Sequence, residues 1–89
     1  MINGERKARI EQIIKEHLNP SYLEVIDDSN SHQGHHDAPK SGESHYNVII
    51  ISKYFIGKNR IEKERMVYKI LDKEFKTGLH ALSLKLSDS

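Results

Sequence analysis

The stretch that decides the fold is His45–Ser52, HYNVIIIS, in which aromatic and β-branched residues follow one another without Lys, Arg, Asp or Glu. A run that is apolar on both of its alternating faces is typical of a central strand in a sheet that is covered on at least one side. Its apolar part, Val48–Ile51, is far shorter than the ~18–20 residues that span a membrane. A buried strand of a soluble domain is therefore predicted here, with no membrane association.

On the N-terminal side of this strand, the sequence predicts a helix and a second strand. Apolar residues recur at helical spacing through Glu5–Leu18, with charged residues on the other face. Asn19-Pro20 is expected to end that helix, because proline disfavours the α conformation of the residue before it. Leucine and valine then alternate with polar residues in Tyr22–Asp27, which predicts a strand.

On the C-terminal side, the pattern predicts another helix and a last strand. Asn59 and Glu62 have the spacing of a capping box that opens a helix over Arg60–Lys76. Gly78 is predicted as the C′ residue that closes it. Leu79–Leu86 alternates as a strand. The order helix, strand, strand, helix, strand predicts one α+β domain over residues 1–89, with helices packed on a three-stranded sheet.

The composition excludes several kinds of protein. The 89 residues contain no cysteine, which rules out disulfides, a thiolate nucleophile and a Cys-based zinc finger within the chain. The net charge of +1 implies no attraction of the whole protein to nucleic acid or to anionic lipid. The N-terminal segment is charged and lacks the apolar stretch of a secretory signal, so a cytoplasmic protein is expected. Since no nucleophile elbow, P-loop or dinucleotide fingerprint occurs, no enzymatic activity is predicted.

The segment 28–44 is predicted to be a loop, and its histidines are candidate metal ligands. It is nearly free of apolar residues and longer than the ~12–15 residues usual for a loop without a function. His32, His35 and His36 form the run HxxHH, and imidazoles at this density can bind zinc, copper, nickel or an iron–sulfur cluster. The spacing fits no standard structural zinc site, and a solvated loop is the alternative interpretation.

His80 is the second candidate ligand. It lies at the start of the predicted last strand, directly after Gly78, where one side of the ring can be apolar and the other open. Such a position suits a metal ligand, which must be neutral and held in one orientation. The alternative is a core histidine with a satisfied hydrogen bond, since Leu82, Leu84 and Leu86 are predicted to share its face.

A basic stripe on the second helix is the candidate nucleic-acid contact. Arg65, Lys69 and Lys73 recur at intervals of four residues, a spacing that could present them to phosphates. Acidic residues are interspersed, which favours a mixed solvated face. A KH-type clamp needs a GxxG loop between helices, and the five glycines form no such motif.

Taken together, several segments closely resemble the BolA family. The segments are LEVIDDS (Leu23–Ser29), GESHYNVIIIS (Gly42–Ser52), FIGK (Phe55–Lys58), RMVY (Arg65–Tyr68) and LHALSLK (Leu79–Lys85). They cover nearly the whole chain, in order and at compatible spacing. The resemblance implies an αββαβ, class II KH-like fold.

The resemblance also implies a partner and a shared cofactor. BolA proteins pair with monothiol glutaredoxins that carry a CGFS active site. In the bridged heterodimer a [2Fe–2S] cluster is held by the glutaredoxin cysteine, the thiol of glutathione and two BolA side chains. The isolated chain is expected to carry no cofactor and to be a monomer, and to form a heterodimer with its partner.

The two BolA ligands are carried over by position. The histidine of the HAL segment is His80. The other ligand comes from the loop between the first two strands, and is cysteine in one subgroup and histidine in another, so this chain resembles the histidine type. Counting back from His45, with Pro39 as a marker, gives His36. A one-residue shift of the loop would give His35 instead, and His32 is the third candidate.

Three functions remain open from the sequence. The first is an adaptor that binds the glutaredoxin and shares its cluster, in cluster trafficking or iron regulation. The second is a nucleic-acid-binding transcriptional regulator that contacts DNA through the second helix. The third is a free-standing metal carrier that uses the histidine-rich loop.

Overall fold

A computed structural model describes residues 5–28 and 45–89, and its elements follow the predicted order. The elements are α1 (Glu5–Leu18), β1 (Tyr22–Asp27), β2 (His45–Ile51), α2 (Arg60–Ile70), α3 (Asp72–Lys76) and β3 (Ala81–Ser87). A 3₁₀ turn at Lys53–Phe55 joins β2 to α2. The α+β class and the three-stranded sheet are therefore confirmed.

The sheet has the order β1-β2-β3, with β2 in the centre as its apolar sequence predicts. β1 runs antiparallel to β2, and the pairing of Val25 with Val48 fixes their register. β3 runs parallel to β2, with Val48 opposite Leu84. A parallel partner needs a crossover connection, which the helical segment between β2 and β3 supplies.

The core lies on one face of the sheet. Burial alternates along β2, where Tyr46, Val48 and Ile50 are fully covered and the residues between them only partly. The helices cover this face with a set of fully buried side chains, namely Ile10 and Ile14 of α1, Val67 of α2, and Leu71. Each such aliphatic side chain stabilises the fold by about 1.5–3 kcal/mol relative to an exposed one.

The second helix is shorter than predicted. It ends at Ile70, and Leu71 adopts φ −101° and ψ 13° before the short helix α3 begins. The break is explained by contacts with distant parts of the chain. It lets Leu71 enter the core, and it turns Glu74 toward α1, where two arginines bind its carboxylate. The Asn59–Glu62 capping box is confirmed, with both reciprocal hydrogen bonds formed.

The last strand also begins later than predicted, at Ala81 rather than Leu79. Leu79 belongs to the core, with 3% of its surface exposed, and its N–H is hydrogen-bonded to Glu74. Gly78 has the positive φ of 128° expected for the C′ residue. His80 therefore precedes the strand and is exposed, so the alternative of a core histidine is wrong.

Candidate functional site

Three strand ends meet at one end of the sheet, which is called the histidine end and is defined by Asp27, His45 and His80. β1 finishes there at Asp27, opposite Tyr46, and β2 begins there at His45, opposite Ala81 of β3. The backbone N–H of Asp28 donates to the carbonyl of His45 over 2.8 Å. The chain segment between residues 28 and 45 therefore leaves and returns at the end of the sheet that carries His80.

Two imidazoles lie side by side at the histidine end. The rings of His45 and His80 are parallel within 6°, and their centroids are 6.1 Å apart. This separation is within the roughly 4.5–7 Å at which aromatic pairs attract each other. His80 is exposed, whereas His45 is half-buried. In the sequence, His45 serves only as a marker for counting, and the register of β2 against β3 reveals it as the neighbour of His80.

The loop histidines His32, His35 and His36 lie outside the described residues. Their assignment as a second ligand stays a prediction. Within residues 5–28 and 45–89, no three His, Cys, Asp or Glu side chains form a group that could hold a metal ion. An exposed imidazole such as His80 is nonetheless a suitable donor to iron, since histidine replaces cysteine as an iron ligand in some [2Fe–2S] centres.

A buried ion cluster lies behind the turn that carries His80. Glu74 is 5% exposed, and its carboxylate accepts hydrogen bonds from Arg6 Nη1 at 2.7 Å and from Arg9 Nε at 2.9 Å. The hydrogen bond from Arg9, helped by the charges of both arginines, holds the pKa of Glu74 below its ordinary value of 4.5 although burial acts to raise it. Sequence reasoning missed this cluster, because Arg6 and Arg9 occupy the charged face expected of any amphipathic helix.

The candidate nucleic-acid contacts are only partly brought together. Lys69 and Lys73 line a groove between α1 and α2, together with His17 and the apolar side chains of Ile13 and Met66. Arg65 is exposed but does not line that groove. Neither lysine makes an ion pair with a residue of the described ranges.

The N-terminus of α2 is already occupied by side chains. Asn59 Oδ1 accepts from the N–H of Glu62 over 2.9 Å, and Glu62 Oε1 accepts from the N–H of Asn59 over 2.8 Å. A helix N-terminus attracts a phosphate through its unpaired N–H groups. Here the capping box already pairs two of the N–H groups at this end, those of Asn59 and Glu62. No helix in the part of the chain that the structure describes is long and apolar enough to cross a membrane.

The fold and the site together define a small KH-like α+β domain with an exposed histidine where its strands converge. The family model "BolA-like protein" matches residues 14–88. The chain belongs to the BolA family. Among solved structures, it is similar to the BolA domain of SufE1 from Arabidopsis thaliana, with a TM-score of 0.85, 39% identity, and coverage of 94% of this chain and 92% of that one.

A further solved structure and two curated relatives support the same family assignment. BolA1 from Arabidopsis thaliana has a TM-score of 0.80 and 38% identity, over 90% of this chain and 87% of that one. The DNA-binding transcriptional regulator BolA of Escherichia coli is 36% identical over 88% of this chain and 70% of its own length. SufE-like protein 1 of Arabidopsis thaliana is 41% identical over 91% of this chain. The chain spans only 23% of that protein's length.

Proposed function

We propose that this protein is an adaptor that binds a monothiol CGFS glutaredoxin and shares a bridging [2Fe–2S] cluster, in iron–sulfur cluster trafficking or iron regulation. The observation that carries the proposal is the position of His80. Its imidazole is exposed at the histidine end of the sheet, where the segment with His32, His35 and His36 leaves and returns. A ligand on the strand side and a ligand from the loop can therefore approach one iron.

The donor chemistry supports a shared cluster. A [2Fe–2S] cluster takes four ligands, and imidazole ligation raises its reduction potential relative to all-thiolate ligation. This chain has no cysteine, so it would contribute imidazoles, while the glutaredoxin cysteine and glutathione contribute thiolates. The role of this chain's own residues is to hold His80 in place and to present its ring nitrogen to a partner.

The test is a titration of this protein into a CGFS glutaredoxin that carries a [2Fe–2S] cluster and glutathione, followed by visible circular dichroism. The wild type is expected to give a new heterodimer spectrum. His80→Ala is expected to abolish it, and His36→Ala is expected to alter it. If His36→Ala has no effect, His35→Ala and His32→Ala identify the loop ligand.

A matched control is available in His17→Ala. His17 is exposed on α1, away from the histidine end, so its removal tests whether the loss of any imidazole disturbs the complex. This variant is expected to behave as the wild type. A wild-type protein that leaves the glutaredoxin spectrum unchanged would contradict the proposal.

The second candidate function is nucleic-acid binding. It is favoured by Lys69 and Lys73, which are exposed and make no ion pair within the described ranges, and by the relative that is named a DNA-binding regulator. The capped N-terminus of α2 counts against a KH-type phosphate contact at that helix. Any DNA contact would instead use the lysines along the groove.

Binding to duplex DNA over a range of salt concentrations tests this second candidate. Each phosphate contact contributes a slope of about −0.9 in a plot of log K against log salt. Under this candidate, the double variant Lys69→Glu/Lys73→Glu loses the salt-dependent binding. The double variant Lys53→Glu/Lys85→Glu has the same net charge but lies outside the groove, and an equal loss there would reject a specific DNA surface.

A further inference from the structure

The turn that carries His80 is fixed by its neighbours on both sides. Behind it, α3 ends at Lys76, and Gly78 turns the chain with φ 128°. Directly before His80, Leu79 is buried in the core, and its N–H donates to the carbonyl of Glu74 over 2.9 Å. Because the ring of His80 is exposed, its position depends on the Thr77–Leu79 turn and on the neighbouring ring of His45 rather than on burial.

Arg6 of α1 binds this turn and the adjoining Glu74 through both terminal nitrogens of its guanidinium group. Its Nη1 donates to the carbonyl of Glu74 at 3.2 Å, to the carboxylate of Glu74 at 2.7 Å and to the hydroxyl of Thr77 at 3.1 Å. Its Nη2 donates to the carbonyl of Thr77 at 2.9 Å. The side chain is 11% exposed, although arginine is rarely buried to that extent unless it is paired.

The fit between Arg6 and the turn is close. A Cβ atom at Gly78 would lie 2.9 Å from Nη2 of Arg6, closer than carbon and nitrogen atoms approach without a bond. Glycine at this position therefore serves two purposes, since its φ of 128° is strained for other residues and its missing side chain admits the guanidinium. The guanidinium and the turn form one packed unit.

We propose that Arg6 is a positioning residue for His80, because its guanidinium fixes the Thr77–Leu79 turn and thereby sets where the imidazole lies at the histidine end. The proposal rests on the proposed function, in which His80 meets the partner's cluster. It distinguishes Arg6 from Arg9. Arg9 binds the same Glu74 carboxylate, at 2.9 and 3.0 Å, but its other hydrogen bond is to the side chain of Glu5 and not to the turn.

The planar fork of arginine is what this role requires. Arg6 reaches a carboxylate, a hydroxyl and two carbonyls from two nitrogens, whereas a lysine offers one ammonium on a flexible stem. Arg6→Lys keeps the charge beside Glu74 but cannot reproduce these contacts. Arg9→Lys makes the same chemical change at the neighbour that does not touch the turn, and is therefore the matched control.

The first readout uses the isolated protein and needs no cluster. NMR of the imidazole nitrogens and carbons, with ring-to-ring NOEs, reports the position of His80 relative to His45. Arg6→Lys is expected to shift the His80 signals and to weaken the NOEs to His45, while Arg9→Lys leaves both as in the wild type. Unchanged His80 signals in a folded Arg6→Lys protein would overturn the proposal.

The second readout is the affinity for the cluster-loaded glutaredoxin. Supporting residues of metal ligands are typically worth about 10- to 100-fold in affinity, and a loss of this order is expected for Arg6→Lys but not for Arg9→Lys. Equal losses in the two variants would overturn the proposal, because they would show a general effect of the Glu74 cluster on the fold.

Two further outcomes keep the test decisive. If Arg6→Lys does not fold, Thr77→Val removes the hydroxyl that accepts from Arg6 and that itself donates to the carbonyls of Lys73 and Glu74, and an unshifted His80 ring in that variant overturns the proposal. If the wild type leaves the glutaredoxin spectrum unchanged, the proposed function fails. The NMR comparison in the isolated protein then still decides whether Arg6 positions His80.

Discussion

The two ends of the sheet use their polar groups in opposite ways. The end formed by Ser21, Ser52 and Ser87, called the serine end, is tied together internally. The N–H of Ser52 donates to the carbonyl of Ser87 at 3.0 Å, and the N–H of Ser21 donates to the carbonyl of Ile51 at 2.8 Å. The buried hydroxyl of Ser52 donates to the carbonyl of Leu18 and accepts from the N–H of Tyr54.

The histidine end instead leaves an imidazole facing outward. Asp28 and His45 close the base of the loop with one backbone hydrogen bond, while the ring of His80 is exposed beside that of His45. The serine end therefore stabilises the fold, whereas the proposed function assigns the exposed imidazole of the histidine end to a partner. Substitutions at the two ends should therefore affect different measurements.

The largest expected effect is at the histidine end. His80→Ala is predicted to abolish the heterodimer spectrum, yet to lower the free energy of unfolding by no more than about 1.5 kcal/mol, the upper value for the ring pair with His45. Denaturant unfolding of the isolated variant, run beside the spectroscopic titration, separates the two quantities. A loss of stability well above that limit would mean that His80 is structural, and the two ends of the sheet would then not differ in the way described.

The serine end is predicted to show the reverse behaviour. Ser52→Ala removes the donor to the carbonyl of Leu18 and leaves that buried group unpaired, so the free energy of unfolding should fall by about 1–3 kcal/mol. The folded variant should still give the heterodimer spectrum. Ser83→Ala, at an exposed position of β3, is the control and should change neither quantity. A Ser52→Ala protein as stable as the wild type would contradict the assignment.

A smaller effect is predicted for the neighbour of His80. His45→Ala removes the parallel ring, and an aromatic pair of this kind is worth about 0.5–1.5 kcal/mol, so affinity for the loaded glutaredoxin should fall about twofold to tenfold. His45→Phe keeps a ring without a nitrogen and should bind like the wild type. If His45→Phe instead abolishes the complex, His45 is itself a ligand.

The smallest effect is a pH dependence at the ion cluster. The pKa of Glu74 is lowered by its hydrogen bond from Arg9 and by the nearby charges, so its contribution to stability is complete above about pH 4.5 and is lost as the pH falls through the lowered pKa. Denaturant unfolding between pH 7 and pH 3 should show wild type and Glu74→Gln converging at the acid end. A constant difference over this range would contradict the lowered pKa.

Local signals predicted most of the fold. Three of these signals depend only on residues that are close in sequence, and the structure confirms all three. They are the apolar run of β2, the Asn59–Glu62 cap and the glycine at position 78. The end of α2 was predicted wrongly, because the apolar spacing continues through Phe75 while the break at Leu71 depends on contacts with α1. The spacing of apolar residues cannot reveal a contact between parts of the chain that are distant in sequence.

The candidate site shows the same division. His80 is exposed as a ligand must be, and both its place after Gly78 and the HAL motif pointed to it. Arg6 and Glu74 are 68 residues apart, and His45 meets His80 only through the parallel pairing of β2 with β3. Neither contact has a local pattern, so both required the structure.

All of these effects at the histidine end depend on whether His80 binds iron of a cluster shared with a glutaredoxin. The most direct measurement is electron–nuclear double resonance on the reduced complex, with ¹⁵N-histidine in this protein and an unlabelled glutaredoxin. Iron ligation by His80 predicts strongly coupled ¹⁵N nuclei in the wild type and the loss of the His80 coupling in His80→Ala. A wild-type complex without ¹⁵N coupling, or one whose coupling is unchanged in His80→Ala, would contradict it.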